Sequence, residues 1–167
     1  MTIDPQIFRE TMAHWASGVT VVTTQVDDQR IGITVSSFAS LSLNPPQILV
    51  CINKKLHAHA AIQTSGNFAV NILGIEHQAW GMRFAGMFPE LTDRFQGIES
   101  HTAVTGSPIL PGVLGWRDCE VRQAFDGGDH TIFVGEVVAT AARAEGAPIL
   151  YYKRQWRQLA EQALTLK

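Results

Sequence analysis

One stretch constrains the fold of this chain more than any other: Gly32-Ile33-Thr34-Val35-Ser36-Ser37-Phe38-Ala39-Ser40-Leu41-Ser42-Leu43-Asn44-Pro45-Pro46. Small or hydroxyl residues occupy Gly32, Thr34, Ser36, Ser40 and Ser42, while Ile31, Ile33, Val35, Ala39, Leu41 and Leu43 are apolar. Alternation with a period of two marks half-buried extended chain. A face of short hydroxyls, without Lys, Glu or Gln, leaves room for a flat partner against the backbone. The parity breaks once, at Ser37-Phe38. A break of that kind predicts a bulge or bend, a device that often re-aims side chains beside active sites.

The rest of the chain reads as short strands with interspersed helices. Asp4-Pro5 looks like a helix start, with Asp as cap and Pro in the first turn. Phe8, Met12 and Trp15 would then share a face, and Gly18 would end the helix. Val19 to Val26 is β-branched, and Asp27-Asp28-Gln29 turns it into a hairpin with the stretch above. Further strands are expected at Ile48–Ile52, Phe68–Leu73, Val113–Ala124, Thr131–Ala142, Ile149–Tyr152 and Trp156–Leu159. Helices are expected at Ala58–Gln63 and Glu76–Phe84, with an aperiodic excursion over Met87–Ser107. The sum is mainly β with flanking helices, an antiparallel barrel rather than a doubly wound sheet. Neither G-x-G-x-x-G nor G-x-x-x-x-G-K-[ST] occurs, which argues against a Rossmann domain or P-loop.

At 167 residues the chain fits one domain, residues 1–167, large enough to bury a core without staples. A net charge of −2 provides no electrostatic case for nucleic acid or an anionic membrane. Cys51 and Cys119 form no C-x-x-C pair, so disulfides and zinc are not expected and a reducing compartment is. The start Met1-Thr2-Ile3-Asp4-Pro5 lacks a basic region followed by an apolar run, and no apolar run reaches the ~20 residues of a membrane span. A cytoplasmic protein is expected.

Two segments carry candidate chemistry. Cys51-Ile52-Asn53-Lys54-Lys55-Leu56-His57 ends a strand and opens a helix. N–H groups at a helix start, with Lys54, Lys55 and His57, suit phosphate; the same residues also suit a solvated basic turn. His57 and His59 are two apart, which suits metal only on a strand, and no metal is expected. Gly127-Gly128-Asp129-His130-Thr131 sets His130 beside a flexible turn, where it would meet a ligand or be an incidental hairpin residue. Arg83-Phe84-Ala85-Gly86 reads as a helix C-terminus. Of Tyr151 and Tyr152, on opposite faces, one is expected in the core. No G-x-S-x-G elbow accompanies the hydroxyls.

Several pieces then fall in a familiar order: Ser17-Gly18-Val19-Thr20-Val21-Val22-Thr23-Thr24, Gly32-Ile33-Thr34, Ser36-Ser37-Phe38, Cys51-Ile52-Asn53, Phe68-Ala69-Val70-Asn71-Ile72-Leu73, Phe84-Ala85-Gly86-Met87, Asp93-Arg94-Phe95, Gly128-Asp129-His130 and Ile149-Leu150-Tyr151-Tyr152. In that order the chain resembles the flavin reductase-like, FMN-binding split-barrel family, above all the reductase components of two-component aromatic monooxygenases. The likeness runs from about Phe8 to Leu159. It implies an antiparallel Greek-key split barrel, a homodimer, and hydride transfer from NADH or NADPH to FMN or FAD, with reduced flavin diffusing to a separate oxygenase.

Carried over by position, the resemblance implies that Thr34, Val35, Ser36 and Ser37 line the flavin ring and ribityl chain. It places Cys51, Ile52, Asn53, Lys54 and Lys55 toward the ribityl and phosphate groups, and Phe84, Ala85 and Gly86 beyond the phosphate. His130 would act at the nicotinamide, with Tyr152 near the same space. Many members carry Ser or Thr where this chain has Leu56-His57-Ala58, so His57 stands in the phosphate-gripping position. A flavin-binding module without turnover and a ferric or cobalt reductase with tightly held FMN are the alternative readings.

Overall fold

The computed structural model describes residues 3–160. Helix α1 (Pro5–Met12) leads into strands β1 (Ser17–Gly18), β2 (Thr20–Val26), β3 (Gln29–Val35), β4 (Phe38–Leu43) and β5 (Pro46–Asn53). Helix α2 (His57–Ser65) and β6 (Asn67–Ile72) follow. A 3₁₀ turn (Ile75–His77) then runs into α3 (Gln78–Phe84). After a long excursion come β7 (Gly115–Gly127), β8 (His130–Ala142), β9 (Ile149–Tyr152) and β10 (Gln155–Gln158).

Seven strands form one antiparallel sheet in the order β3-β2-β6-β7-β8-β5-β4, and β1-β9-β10 form a second, smaller one. β3 and β4 are the two edges of the large sheet, yet only Ser36 and Ser37 separate them in the chain. Three Cα steps of about 3.8 Å reach at most about 11 Å. The sheet must therefore curl until its edges nearly meet, a split barrel held at its seam by those two serines. Ser37 ties the link twice to β5, the strand beside β4. Its carbonyl accepts the Cys51 N–H at 3.2 Å, and its hydroxyl donates to the Cys51 carbonyl at 2.8 Å.

β2 is buried on both faces, which explains why its sequence reads as an almost unbroken β-branched run. Val22 points into the barrel with Val50, Ile52, Phe68, Val70 and Phe133. Val21 points out, under a second core with Leu73, Phe84, Phe95, Ile98 and Leu110. That second core is covered by the excursion between α3 and β7, which forms no helix or strand. Backbone polar groups there need partners, and buried side chains supply them. Asn71 Oδ1 accepts the Leu110 N–H at 2.8 Å, and the buried Asp118 carboxylate accepts the Val104 and Thr105 N–H groups, each at 2.8 Å.

The hairpin of β2 and β3 is present, with Thr24 opposite Ile31. Of the expected bulge or bend the structure has the bend, at Ser36, and two expectations about the first helix are corrected. The parity break at Ser37-Phe38 is no bulge within a strand: it is the end of β3 and the start of β4, while a register shift lies between Ser40 and Ser42. The first helix ends at Met12, because Ser17 and Gly18 pair with Tyr151 and Leu150 instead. Trp15 therefore lies outside that helix, and α1 buries no residue in this chain.

His77 is buried against Trp80, with ring centroids 4.8 Å apart, and its Nδ1 accepts the Gly74 N–H at 3.2 Å. That bond requires a bare Nδ1. Burial lowers the His77 pKa from its usual 6.5, against the raising effect of Glu76. The folded protein thus favours the neutral ring. Its contribution is intact above the unfolded value and is lost as pH falls from 6.5 towards the lower folded value. Denaturant unfolding of wild type should weaken across that window, and His77→Gln should flatten the slope there. Ser37→Ala should lower stability by about 1 kcal/mol, the typical net value of one such hydrogen bond, read by the same unfolding curves at neutral pH.

Candidate functional site

Two clefts flank β3. The first, of about 460 Å³, is bordered by Gly32 and Ile33 of β3, His57 and Ala58 at the start of α2, and Arg94 and Phe95 of the excursion. The second, about 530 Å³, lies between α1 and the β9–β10 turn and is bordered by Arg9, Trp15, Ser36, Tyr152 and Lys153. Both volumes suit a small organic ligand.

The first cleft has a cationic, donor-rich end. Leu56 caps α2 with no side-chain hydrogen bond, so the opening N–H groups of this helix have no side chain to satisfy them. The helix dipole adds positive potential at that point. Arg94 stands in the same wall. Its Nη1 donates to the Phe84 carbonyl at 2.8 Å and the Gly32 carbonyl at 3.3 Å, tying the end of α3 to β3. Two glycines make room for this arrangement. A Cβ at Gly32 would fall 2.5 Å from the Phe84 ring, and one at Gly86, where φ is +79°, would fall 3.1 Å from Arg94 Nη2.

The structure sorts the sequence-derived residues into distinct roles. Thr34 and Ser37 are not free hydroxyls: Thr34 donates to the Gly81 carbonyl at 2.6 Å, and Ser37 holds Cys51. The Val35 carbonyl accepts the Thr20 hydroxyl at 2.9 Å. Of this group Ser36 alone is exposed, on the second cleft. Ile52 and Phe84 are core side chains, 1% and 0% exposed, so only their backbones can meet a ligand. The Cys51 thiol is half-buried, and burial raises its pKa. Asn53 Oδ1 accepts the Lys55 N–H at 2.9 Å, shaping the turn into α2. Lys55 and His57 are exposed, and His57 borders the first cleft. Ala85 and Gly86 follow α3, where Gly86 lets Arg94 pass.

His130 opens β8 directly across the ladder from Asn53. Its Nδ1 lies 2.7 Å from Asp129 Oδ1, and this hydrogen bond is the largest cause of the lowered Asp129 pKa. A ring that gives Nδ1–H to a carboxylate keeps Nε2 for a ligand. Tyr152 lies on β9. It borders the second cleft, its ring edge-on to His14, while Tyr151 packs on the outer core. His130 lines neither of the two clefts, and Tyr152 lines only the second.

Arg94 was legible only as part of Asp93-Arg94-Phe95, a motif inside an aperiodic segment. Nothing in the spacing reveals that the segment folds back onto β3. The buried Cys119 thiol, pushed up to about 12 by burial, is chemically quiet.

A flavin reductase like domain matches residues 12–160. The chain belongs to that family. Over 154 residues this flavin reductase is 40% identical to the reductase subunit HsaB of a flavin-dependent monooxygenase from Rhodococcus jostii (strain RHA1), spanning 92% of this chain and 77% of the relative. Its fold superposes on flavin reductase PheA2 in its native state with a TM-score of 0.89 and 34% identity, covering 95% of this chain and all of the other. It also matches the NADH:FAD oxidoreductase SgcE6 of Streptomyces globisporus C-1027, in complex with NAD and FAD fragments, at a TM-score of 0.88 and 29% identity, over 98% of this chain and 99% of that one.

The residues present fit a phosphorylated flavin. The uncapped start of α2, His57 and Arg94 line one cleft, where they would offer N–H and cationic donors to a phosphate. Arg94→Met should weaken FMN binding about tenfold, the ~1.4 kcal/mol scale of one charge-assisted contact. A fluorescence titration reads this directly, and unchanged affinity would take Arg94 out of the site.

Proposed function

We propose that this protein is an NAD(P)H:flavin oxidoreductase that reduces FMN or FAD with NADH or NADPH and releases reduced flavin to a separate monooxygenase. The whole chain acts as one flavin-reductase domain. The observation that carries the reading is the first cleft, where β3, the uncapped start of α2 and Arg94 converge.

When bound, flavin supplies the hydride acceptor and the reduced nicotinamide the donor, chemistry that belongs to the cofactors. The protein's task is placement. The start of α2, His57 and Arg94 grip the phosphate. The Ser36–Ser37 link presents backbone to the flat ring, since the Ser37 hydroxyl is engaged elsewhere. His130, with Nδ1 held by Asp129, offers Nε2 to orient the nicotinamide. Ser36 and Tyr152 border the second cleft, together with Arg9, Trp15 and Lys153.

The protein works as a cytoplasmic homodimer in this reading. Ile7, Phe8, Met12 and Trp15 are exposed in the single chain, an apolar flank that a second subunit would cover. Among the described residues, no helix is long and apolar enough to cross a membrane.

NADH and NADPH oxidation measured with FMN, FAD and riboflavin tests the activity; no oxidation with any flavin would leave only a binding module. In single-turnover experiments His130→Ala should slow flavin reduction about tenfold or more and change flavin affinity by less than about threefold. Unchanged reduction would remove His130 from the reaction.

A further inference from the structure

The two histidines spaced for a metal on a strand lie instead on α2, and they look in different directions. His57 borders the first cleft, whereas His59 is buried. His59 Nε2 lies 2.8 Å from Thr131 Oγ1, and its ring packs on Phe133 with centroids 5.4 Å apart. Thr131 is the residue after His130. On the outer side, Lys54 reaches the same hairpin. Its Nζ donates to Asp126 Oδ2 at 3.0 Å and to the Gly128 carbonyl at 2.6 Å, and its backbone N–H donates to the Asp129 carbonyl at 3.0 Å. Between these two contacts, Asn53 pairs with His130. Asp126 also accepts the Gly128 N–H at 2.8 Å, closing the turn on itself.

The exposed turn at Gly128 is closed by the β7–β8 ladder, with Gly127 opposite His130, and by that Asp126 bond, so contacts from outside the hairpin decide only how it sits against its neighbours. Here the turn and the start of β8 are held at three points, by Asn53 and Lys54 at the end of β5 and by His59 in the first turn of α2. We infer that Lys54 and His59 are positioning residues that latch the β7–β8 turn, and with it His130, to the loop that opens α2. A ligand phosphate gripping the start of α2 then also sets where His130 stands. Lys54 in this arrangement serves the hairpin and not the phosphate. Only the catalytic consequence rests on the flavin-reductase reading, because the latch is a contact of the fold itself.

An exposed ion pair stabilises a protein little, so loss of Lys54 should act locally. Amide hydrogen exchange of the whole protein, with and without FMN, reads it. In wild type, FMN should slow exchange over 126–131 as well as over 53–59. In Lys54→Met, exchange over 126–131 should rise about tenfold with little change in Tm, and FMN should no longer slow it. Flavin reduction should fall while FMN affinity changes less than about threefold. Lys54→Arg should restore the wild-type pattern, and His59→Gln, which keeps a hydrogen bond to Thr131, should resemble wild type more than His59→Ala does. Lys54 lies on the surface, so its variants decide the matter even if the buried His59→Ala fails to fold. Unchanged exchange over 126–131 in Lys54→Met, or no FMN effect there in wild type, would overturn the latch. So would a loss of FMN affinity equal to the loss in reduction, which would make Lys54 a direct ligand contact. If His130→Ala leaves reduction untouched, the catalytic reading fails while the exchange result still decides the latch.

Discussion

The two-residue link between β3 and β4 is the constraint on which the rest of the structure depends. It joins opposite edges of a seven-stranded sheet, so the sheet has no choice but to curl. Ordinary edge strands expose unpaired backbone groups. Here the seam between β3 and β4 is left open, and Ser37 in the link continues the β4–β5 ladder by exchanging hydrogen bonds with Cys51. Curling sends Val22 and Val50 inward and Val21 outward, which creates a second core beneath α3 and the excursion. Both clefts follow from that geometry, because β3 runs between them and the seam lies at its end.

The chemistry of the first cleft comes from elements distant in sequence. α2 contributes a helix start with no side-chain cap, and the excursion contributes Arg94. Buried polar side chains hold that excursion in place. Asn71 binds its backbone at Leu110, Asp118 binds it at Val104 and Thr105, and Thr23 donates to Pro108. Buried polar groups stabilise a single arrangement only when fully partnered. Among the described residues, no buried side-chain polar atom lacks a partner. The aperiodic segment is thus a fixed wall of the cleft, and its order comes from β2, β6 and β7.

Much of the fold was legible because burial imposes periodicity. The alternation through Ile31–Val35, the β-branched run of β2 and the Gly127-Gly128 turn each state their structure locally. The site was less so. Thr34, Ser36 and Ser37 read as one hydroxyl face, yet the structure engages Thr34 with Gly81 and Ser37 with Cys51 and leaves Ser36 exposed. A hydroxyl pattern cannot distinguish donors aimed at a ligand from donors aimed at a neighbouring carbonyl. Lys54 and His59 show the same limit. Both read as groups for phosphate or metal, and both are engaged by the β7–β8 hairpin some 70 residues later.

By itself the sequence determined the strands, the hairpins, the helix start at Asn53–His57 and the absence of nucleotide-binding glycine motifs, because each is written in neighbouring residues. Its ordered motifs also carried the family. Only the tertiary structure decided that the parity break at Ser37-Phe38 is a seam and not a bulge, since that depends on which strands become edges. It alone brought Arg94 to β3, set Tyr152 on the second cleft, and turned His57 outward and His59 inward. These outcomes depend on contacts between residues far apart in the chain, where packing and hydrogen-bond satisfaction, rather than local preference, choose the partner.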